Sequence, residues 1–239
     1  MPAHAISIFE TSSRYLIRGQ SVRLRWDCPS TTGVTIDQGI GSVTAQTLHA
    51  IGFVDAAPSA DTTWTLSSTA AGGPTLQAQA TVRVFPTKTE WRAANFLPAD
   101  LANPAAAATV WGDAADPDAD GVPNGAEYAA QTNPNGGPKS DVIATSLAEL
   151  VVSATTGQYP IFSLREVLPG AGYFHEAQWS DDLQTWSVLP WTSLVEVSRT
   201  TGGAGATDRV TLRVPNSIAQ SAVSAAKRFY RIILKPTAP

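Results

Sequence analysis

A single cysteine, Cys28, stands among 239 residues, so no disulfide can form within the molecule, and Cys28 is expected to pack as a small apolar residue. Long apolar runs are missing too. No stretch approaches the roughly 18 residues that a membrane-crossing helix needs, which excludes an integral helical membrane protein. Charge is sparse at 15%, and the 16 basic residues are scattered without a Lys/Arg block. That argues against a nucleic-acid platform. Histidine is rare: His4, His49 and His175 are far apart in sequence. No Gly-x-Ser-x-Gly elbow, phosphate loop or His-Glu-x-x-His motif occurs. The expectation is a protein that is not an enzyme. What the sequence does have is apolar material: 43% hydrophobic residues, enough to bury cores and to exclude a disordered polymer. The length suits two or three small domains.

The formal charge of −4 is not evenly spread. Residues 1–86 carry five acids and five bases, and residues 141–239 carry eight of each. The excess lies in residues 87–140, where seven acids meet Lys88, Arg92 and Lys139. Five of those seven fall between Asp113 and Glu127 with no base among them. Like charges this crowded repel, and a bound cation is the usual remedy. Composition thus divides the sequence into three parts.

The first part, 1–86, reads as short strands. Val22, Leu24 and Trp26 alternate with Arg23 and Arg25. Val34 and Ile36, Trp64 and Leu66, and Ala78 to Val84 show the same period of two, with a Gly72-Gly73-Pro74 turn before the last run. The third part, 141–239, repeats the pattern in Leu150/Val152, Phe162/Leu164, Val195/Val197, Val210/Leu212/Val214 and Phe229–Leu234. Gly202–Gly205 marks an exposed loop tip. Each of these parts is expected to be an antiparallel β-sandwich. The middle part, 87–140, predicts a short helix from Glu90 to Phe96 capped by Thr89, and a helix start at Asn103-Pro104 ahead of an alanine run. After the acidic stretch it predicts a third helix over Ala126–Gln131. The fold class is therefore mainly β: two sandwiches joined by a short helical calcium-binding linker.

The calcium expectation rests on Asp116-Pro-Asp118-Ala-Asp120-Gly121-Val122-Pro123-Asn124-Gly-Ala-Glu127. This fits the twelve-residue EF-hand-type loop, with oxygen donors at positions 1, 3 and 5, glycine at 6, Asn at 9 and glutamate at 12. Alternate residues of a loop curling round a cation point inward, Gly121 permits the sharp reversal, and the Val122 carbonyl donates at position 7. The predicted metal ligands are Asp116, Asp118, Asp120, Val122, Asn124 and Glu127, with Asn124 acting directly or through a water. The hard oxygen donors select Ca²⁺. An Asx-rich solvated turn is the plain alternative. Asp113 falls outside the loop register and reads as a supporting residue. Pro123 offers no N–H to a partner loop, and no second loop occurs, so the site reads as isolated and structural, clamping the junction of two β domains.

Ile17–Trp26, Ile36–Val43 and Thr62–Leu66 resemble bacterial immunoglobulin-like modules, with Trp64 in place of the usual tyrosine. Asp116–Pro134, including Glu127-Tyr128 and Thr132-Asn133-Pro134, resembles the calcium-binding thrombospondin type 3-like repeat of secreted bacterial proteins. Trp179–Trp186 and Arg228–Arg231 resemble a β domain that closes large exported proteins. The resemblance implies a modular exported protein serving as a spacer, adhesin or carbohydrate-facing appendage. The expected function is a calcium-stabilised structural or adhesive element outside the cell. Its expected partners are other structural proteins of a surface or particle assembly, with no nucleic acid and no membrane insertion. Met1-Pro2-Ala3-His4 runs almost directly into the first strand without a leader-like pattern. This leaves open a removed leader or a virion or appendage component. The alternative function is a carbohydrate-binding module, with Trp179, Trp186 and Trp191 as a sugar-stacking platform.

Overall fold

The computed structural model describes residues 3–215 and 228–237. Met1 and Pro2, on which the question of a leader turns, lie outside the described residues. Strand makes up 43% and helix 14%, so the protein is mainly β. It divides into two compact units, Met1–Thr87 and Lys88–Pro239.

The first unit contains β1 (Ile8–Thr11), β2 (Tyr15–Ile17), β3 (Val22–Asp27), β4 (Gly33–Ile36), β5 (Gly41–Ser42), β6 (Ile51–Ala56), β7 (Thr62–Thr69) and β8 (Leu76–Phe85). One sheet has the order β1-β3-β6, the other β2-β8-β7-β4-β5. The opening strand is shared between the sheets: β1 runs antiparallel to β3, whereas β2 runs parallel to β8. Ser13 sits at the break, its hydroxyl donating to the Tyr15 carbonyl and accepting from the Tyr15 N–H. This connectivity is that of an immunoglobulin-like sandwich. The alternation in β3 resolves as the sequence requires, with Val22, Leu24 and Trp26 buried and Arg23 and Arg25 outside. The three inward residues join Val34, Ile36, Trp64, Leu66 and Val82 in one core, where burial is worth about 1.5–3 kcal/mol for each large apolar group. Cys28 is fully buried in that core as a free thiol. Trp26 donates its indole N–H to Thr47 Oγ1 at 2.9 Å, so burial leaves no polar group unpaired there.

The second unit begins with α1 (Lys88–Asn95), α2 (Pro98–Leu101), a 3-10 turn over Pro104–Ala108 and α3 (Asn124–Ala130). Asn103 caps the 3-10 turn by accepting from the Ala105 N–H, but the alanine run ends after five residues instead of forming an α-helix. Helix α1 starts at Lys88, which places Thr89 inside it and not at its cap. The strands are β9 (Ile143–Val152), β10 (Thr155–Arg165), β11 (Tyr173–Ser180), β12 (Ser187–Leu189), β13 (Val195–Thr200), β14 (Arg209–Arg213) and β15 (Phe229–Pro236). They form sheets of order β13-β14-β10-β9 and β12-β11-β15. Phe162, Leu164, Val210 and Leu212 of one sheet pack against Ala177 and Ile232 of the other.

Residues 88–140 are not a free-standing linker. Val122, Ala126 and Ala130 form an apolar cluster with Val142, packed against Tyr173 of β11 and Leu234 of β15. The Ala129 carbonyl accepts from the Leu168 N–H, and the Ala130 carbonyl from the Thr207 hydroxyl. The physical reason lies in α3 itself, whose seven residues are all buried, including both flanks of an apparently amphipathic turn. A helix buried on every side sits inside a core, and the two polar residues it carries, Asn124 and Glu127, are buried with it.

Candidate metal centre

The acidic loop hangs between two fixed ends. Before it, Asp113 accepts from Lys88 Nζ at 2.8 Å and from Arg92 Nη2 at 2.7 Å, tying this segment to α1. The two cations hold the Asp113 carboxyl below the usual carboxylate range against the opposing effect of burial. After the loop, Tyr128 of α3 meets the edge of Trp91 at 5.6 Å, and Trp91 in turn meets Phe96 at 5.9 Å. Asp113 is thus a neutralised anchor outside the cluster.

Within the loop the three aspartates converge. One carboxylate oxygen from each of Asp116, Asp118 and Asp120 lies within 4.8 Å of the others. The backbone fixes this arrangement. Gly121 N–H donates to Asp116 Oδ2 at 2.9 Å, Asp120 N–H to Asp118 Oδ1 at 3.3 Å, and Val122 N–H to Asp120 Oδ1 at 2.7 Å. Gly121 has φ +88°, a conformation glycine adopts without steric penalty. In Asp116 and Asp118 the oxygen not used by the loop, Oδ1 and Oδ2 respectively, is buried without any hydrogen-bond partner.

Glu127 completes the pattern from the first turn of α3. It is only 2% exposed, and Oε2 is buried and unpartnered. Burial, followed by the charges of Asp118, Asp120 and Asp116, pushes its pKa up to about 8. Asp120 is raised for the same two reasons, burial first and then its two neighbouring aspartates. Buried acceptor oxygens without donors are costly, about 1–3 kcal/mol each, and rare in folded proteins. Two such oxygens belong to the aspartates that converge within 4.8 Å; Glu127 stands outside that close group but adds a third, and acceptors of this kind suit a hard divalent cation.

Two predicted ligands have further duties. Asn124 is 1% exposed and donates both amide hydrogens, to the Val110 carbonyl at 2.8 Å and the Gly112 carbonyl at 3.0 Å. Only its buried, unpartnered Oδ1 remains as a donor atom. Val122 places its isopropyl group in the apolar cluster with Ala126, leaving the backbone carbonyl as its sole ligand atom. One contact was not foreseen from the sequence, although Thr132 belongs to the stretch that resembles a calcium-binding repeat. Gln131 takes φ +55°, turning the backbone so that Thr132 comes back to Glu127, with its N–H on the Glu127 carbonyl at 3.0 Å and its hydroxyl 3.4 Å from Oε1. No spacing rule in the sequence joins a hydroxyl to a glutamate five residues before it.

The three tryptophans of the sugar-platform alternative do not share a face. Gln178 and Trp179 are neighbours on β11 and point to opposite sides of the sheet. Arg231 hydrogen-bonds Gln178 and lies over the Trp186 ring at 3.8 Å, so Trp186 belongs to the Gln178 side. Trp179 is covered by Arg228 at 4.1 Å. Trp191 stacks on His175, two positions from Ala177 on the core-facing side, with ring centroids 6.0 Å apart.

No protein-family profile matches this sequence, and no curated protein matches it. Among solved structures it is similar to a chimeric titin Z1Z2-Z1Z2 tandem functionalized with a GRGDS exogenous peptide from fibronectin. The identity is 11% and the TM-score 0.25, over 97% of the present protein and 92% of the titin tandem. A likeness that low bears no weight for the fold or the site.

Proposed function

We propose that the second unit holds one calcium ion in the loop Asp116–Glu127, and that the protein is a non-enzymatic, calcium-stabilised structural or adhesive element working outside the cell or on a particle surface. The observation that carries the metal reading is the triad of converging aspartates, two of which, Asp116 and Asp118, keep a buried, partnerless oxygen, as does Glu127. The ion would be held by Asp116, Asp118, Asp120, the Val122 carbonyl and Glu127, with Asn124 offering Oδ1. Its contribution is charge: it neutralises carboxylates that otherwise repel one another inside the protein.

The structural consequence follows from what the loop joins. Its leading end is tied through Asp113 to α1, and its trailing end is buried against β11 and β15. Metal binding therefore fastens the helical layer of residues 88–113 to the sheets of the same unit. A static site of this kind suits a setting rich in calcium, since extracellular modules bind at about 10⁻⁴–10⁻³ M. No helix of the described residues is long and apolar enough to cross a membrane. Immunoglobulin-like sandwiches commonly serve as spacers and adhesive modules, a likeness of fold only.

Scanning calorimetry of the whole protein, with calcium and with chelator, tests the reading. Calcium is expected to raise the melting temperature of the second unit's transition and leave that of the first unit in place. Superimposable scans would overturn it.

A further inference from the structure

The dipeptide Asn-Gly occurs twice, at Asn124-Gly125 and Asn135-Gly136, and the two copies meet opposite surroundings. Asn124 is buried, with both amide hydrogens donated to carbonyls and the following Gly125 N–H held on the Asp113 carbonyl at 3.0 Å. Asn135 is exposed in the loop after α3, and the Gly136 N–H reaches the Asn133 carbonyl only at 3.5 Å. Gly136 is not demanded by the backbone. Its φ lies outside the left-handed region, and a β-carbon there would meet nothing nearer than Asn133 Nδ2 at 3.7 Å. What its lack of a β-carbon provides is open access to its nitrogen.

We propose that Asn135 is a site of spontaneous deamidation, and that loss of its amide releases the 133–137 loop from the end of α1. The deprotonated Gly136 backbone nitrogen attacks Asn135 Cγ. The new C–N bond closes a five-membered imide, the amide C–N bond of Asn135 breaks, and ammonia leaves with a proton taken from water. A water molecule then adds to one of the two imide carbonyls and opens the ring to aspartate or to the β-linked isoaspartate. The net reaction consumes one water and releases one ammonia.

The structural effect is specific. Asn135 Nδ2 donates to the carbonyl of Asn95, the last residue of α1, at 2.7 Å. The acid has no hydrogen to give, and its charged oxygen faces that carbonyl. The same loop, through Asn133, Gly136 and Gly137, lines a cavity of about 140 Å³ with Asp120 and Glu127, so a shift of the loop backbone changes the wall of that cavity. The isoaspartate product also lengthens the loop backbone. Neither the exposure of Asn135 nor its bond to the Asn95 carbonyl involves a residue of the acidic loop.

The test is peptide mapping by mass spectrometry on the whole protein after ageing in mildly alkaline buffer, with a urea-unfolded sample to show that both peptides are detected. Aspartate and isoaspartate are expected to accumulate at 135 while Asn124 keeps its amide. Gly136→Ala should slow the reaction several-fold in a protein that still folds. Aged protein should melt at a lower temperature than fresh protein, with Asn135→Asp reproducing part of the fall. An intact amide at 135, equal reaction at 124 and 135 in the folded protein, or unchanged melting after full conversion would each overturn the proposal.

Discussion

Thr132 folds back onto Glu127, donating its N–H to the Glu127 carbonyl at 3.0 Å and bringing its hydroxyl 3.4 Å from Oε1. The other carboxylate oxygen, Oε2, is buried with no partner. A glutamate held this way is a liability without a cation and an asset with one. Replacing it with the isosteric amide, Glu127→Gln, should therefore act with opposite signs. The metal-free protein should gain on the order of 1 kcal/mol at neutral pH, because the amide needs no proton to sit neutral in a place that pushes the Glu127 pKa up to about 8. The rise in melting temperature that calcium gives the parent should be lost. Thermal melts of both proteins with and without calcium check this.

Asp113 serves as the control for charge in the same segment. It is half-exposed and paired with Lys88 and Arg92, and it belongs to no cluster of free carboxylates. Asp113→Asn should lower stability by about 1 kcal/mol or less, as expected of partly screened ion pairs. Calcium affinity should remain within a few-fold of the parent, measured by titration calorimetry.

In the first unit, Gly52 stands opposite Trp26 in the β3–β6 register. A methyl group at this position would collide with Cζ2 and Cε2 of the buried indole. Gly52→Ala should force the ring off its place and break its bond to Thr47, costing about 1–3 kcal/mol or more. Urea unfolding followed by tryptophan fluorescence reads the loss, and the calcium response of the second unit should be untouched.

His175 gives a pH signature. Burial lowers its pKa from 6.5 to about 4, and Nε2 has no hydrogen-bond partner. The unfolded state takes up a proton below about pH 6.5, whereas the folded state does so only near pH 4. Stability from this group is thus full above about pH 6.5 and is lost as pH falls towards 4, by on the order of 3 kcal/mol in all. His175→Phe, which keeps the stack on Trp191, should remove that component. The difference between the two urea midpoint–pH curves isolates it from the carboxylates common to both.

Strands that carry their own alternation were legible in sequence: Val22/Leu24/Trp26 and Phe162/Leu164 sit in the cores where a period of two places them. Strands without it were not. β1 and β2 are short pieces split between sheets at Ser13, and the outward side of β6 carries Ile51 and Phe53, both 56% exposed, so hydrophobicity did not mark the inner face. The acidic loop declared its spacing because each donor needs its own register position. Its surroundings did not, since the Asn124 bonds to Val110 and Gly112 join residues 14 and 12 positions apart. Its burial against β11 and β15 depends on contacts that no local pattern records. For the same reason the three tryptophans looked like one platform in sequence and lie on two faces of a sheet.

The most direct test of the metal site is a calorimetric titration of the whole metal-free protein with calcium, alongside the Asp116→Asn and Glu127→Gln variants. One calcium per molecule, with affinity in the extracellular range of about 10⁻⁴–10⁻³ M or tighter and binding lost in both variants, is the predicted result. No saturable binding in millimolar calcium, or binding that survives both substitutions, would contradict it.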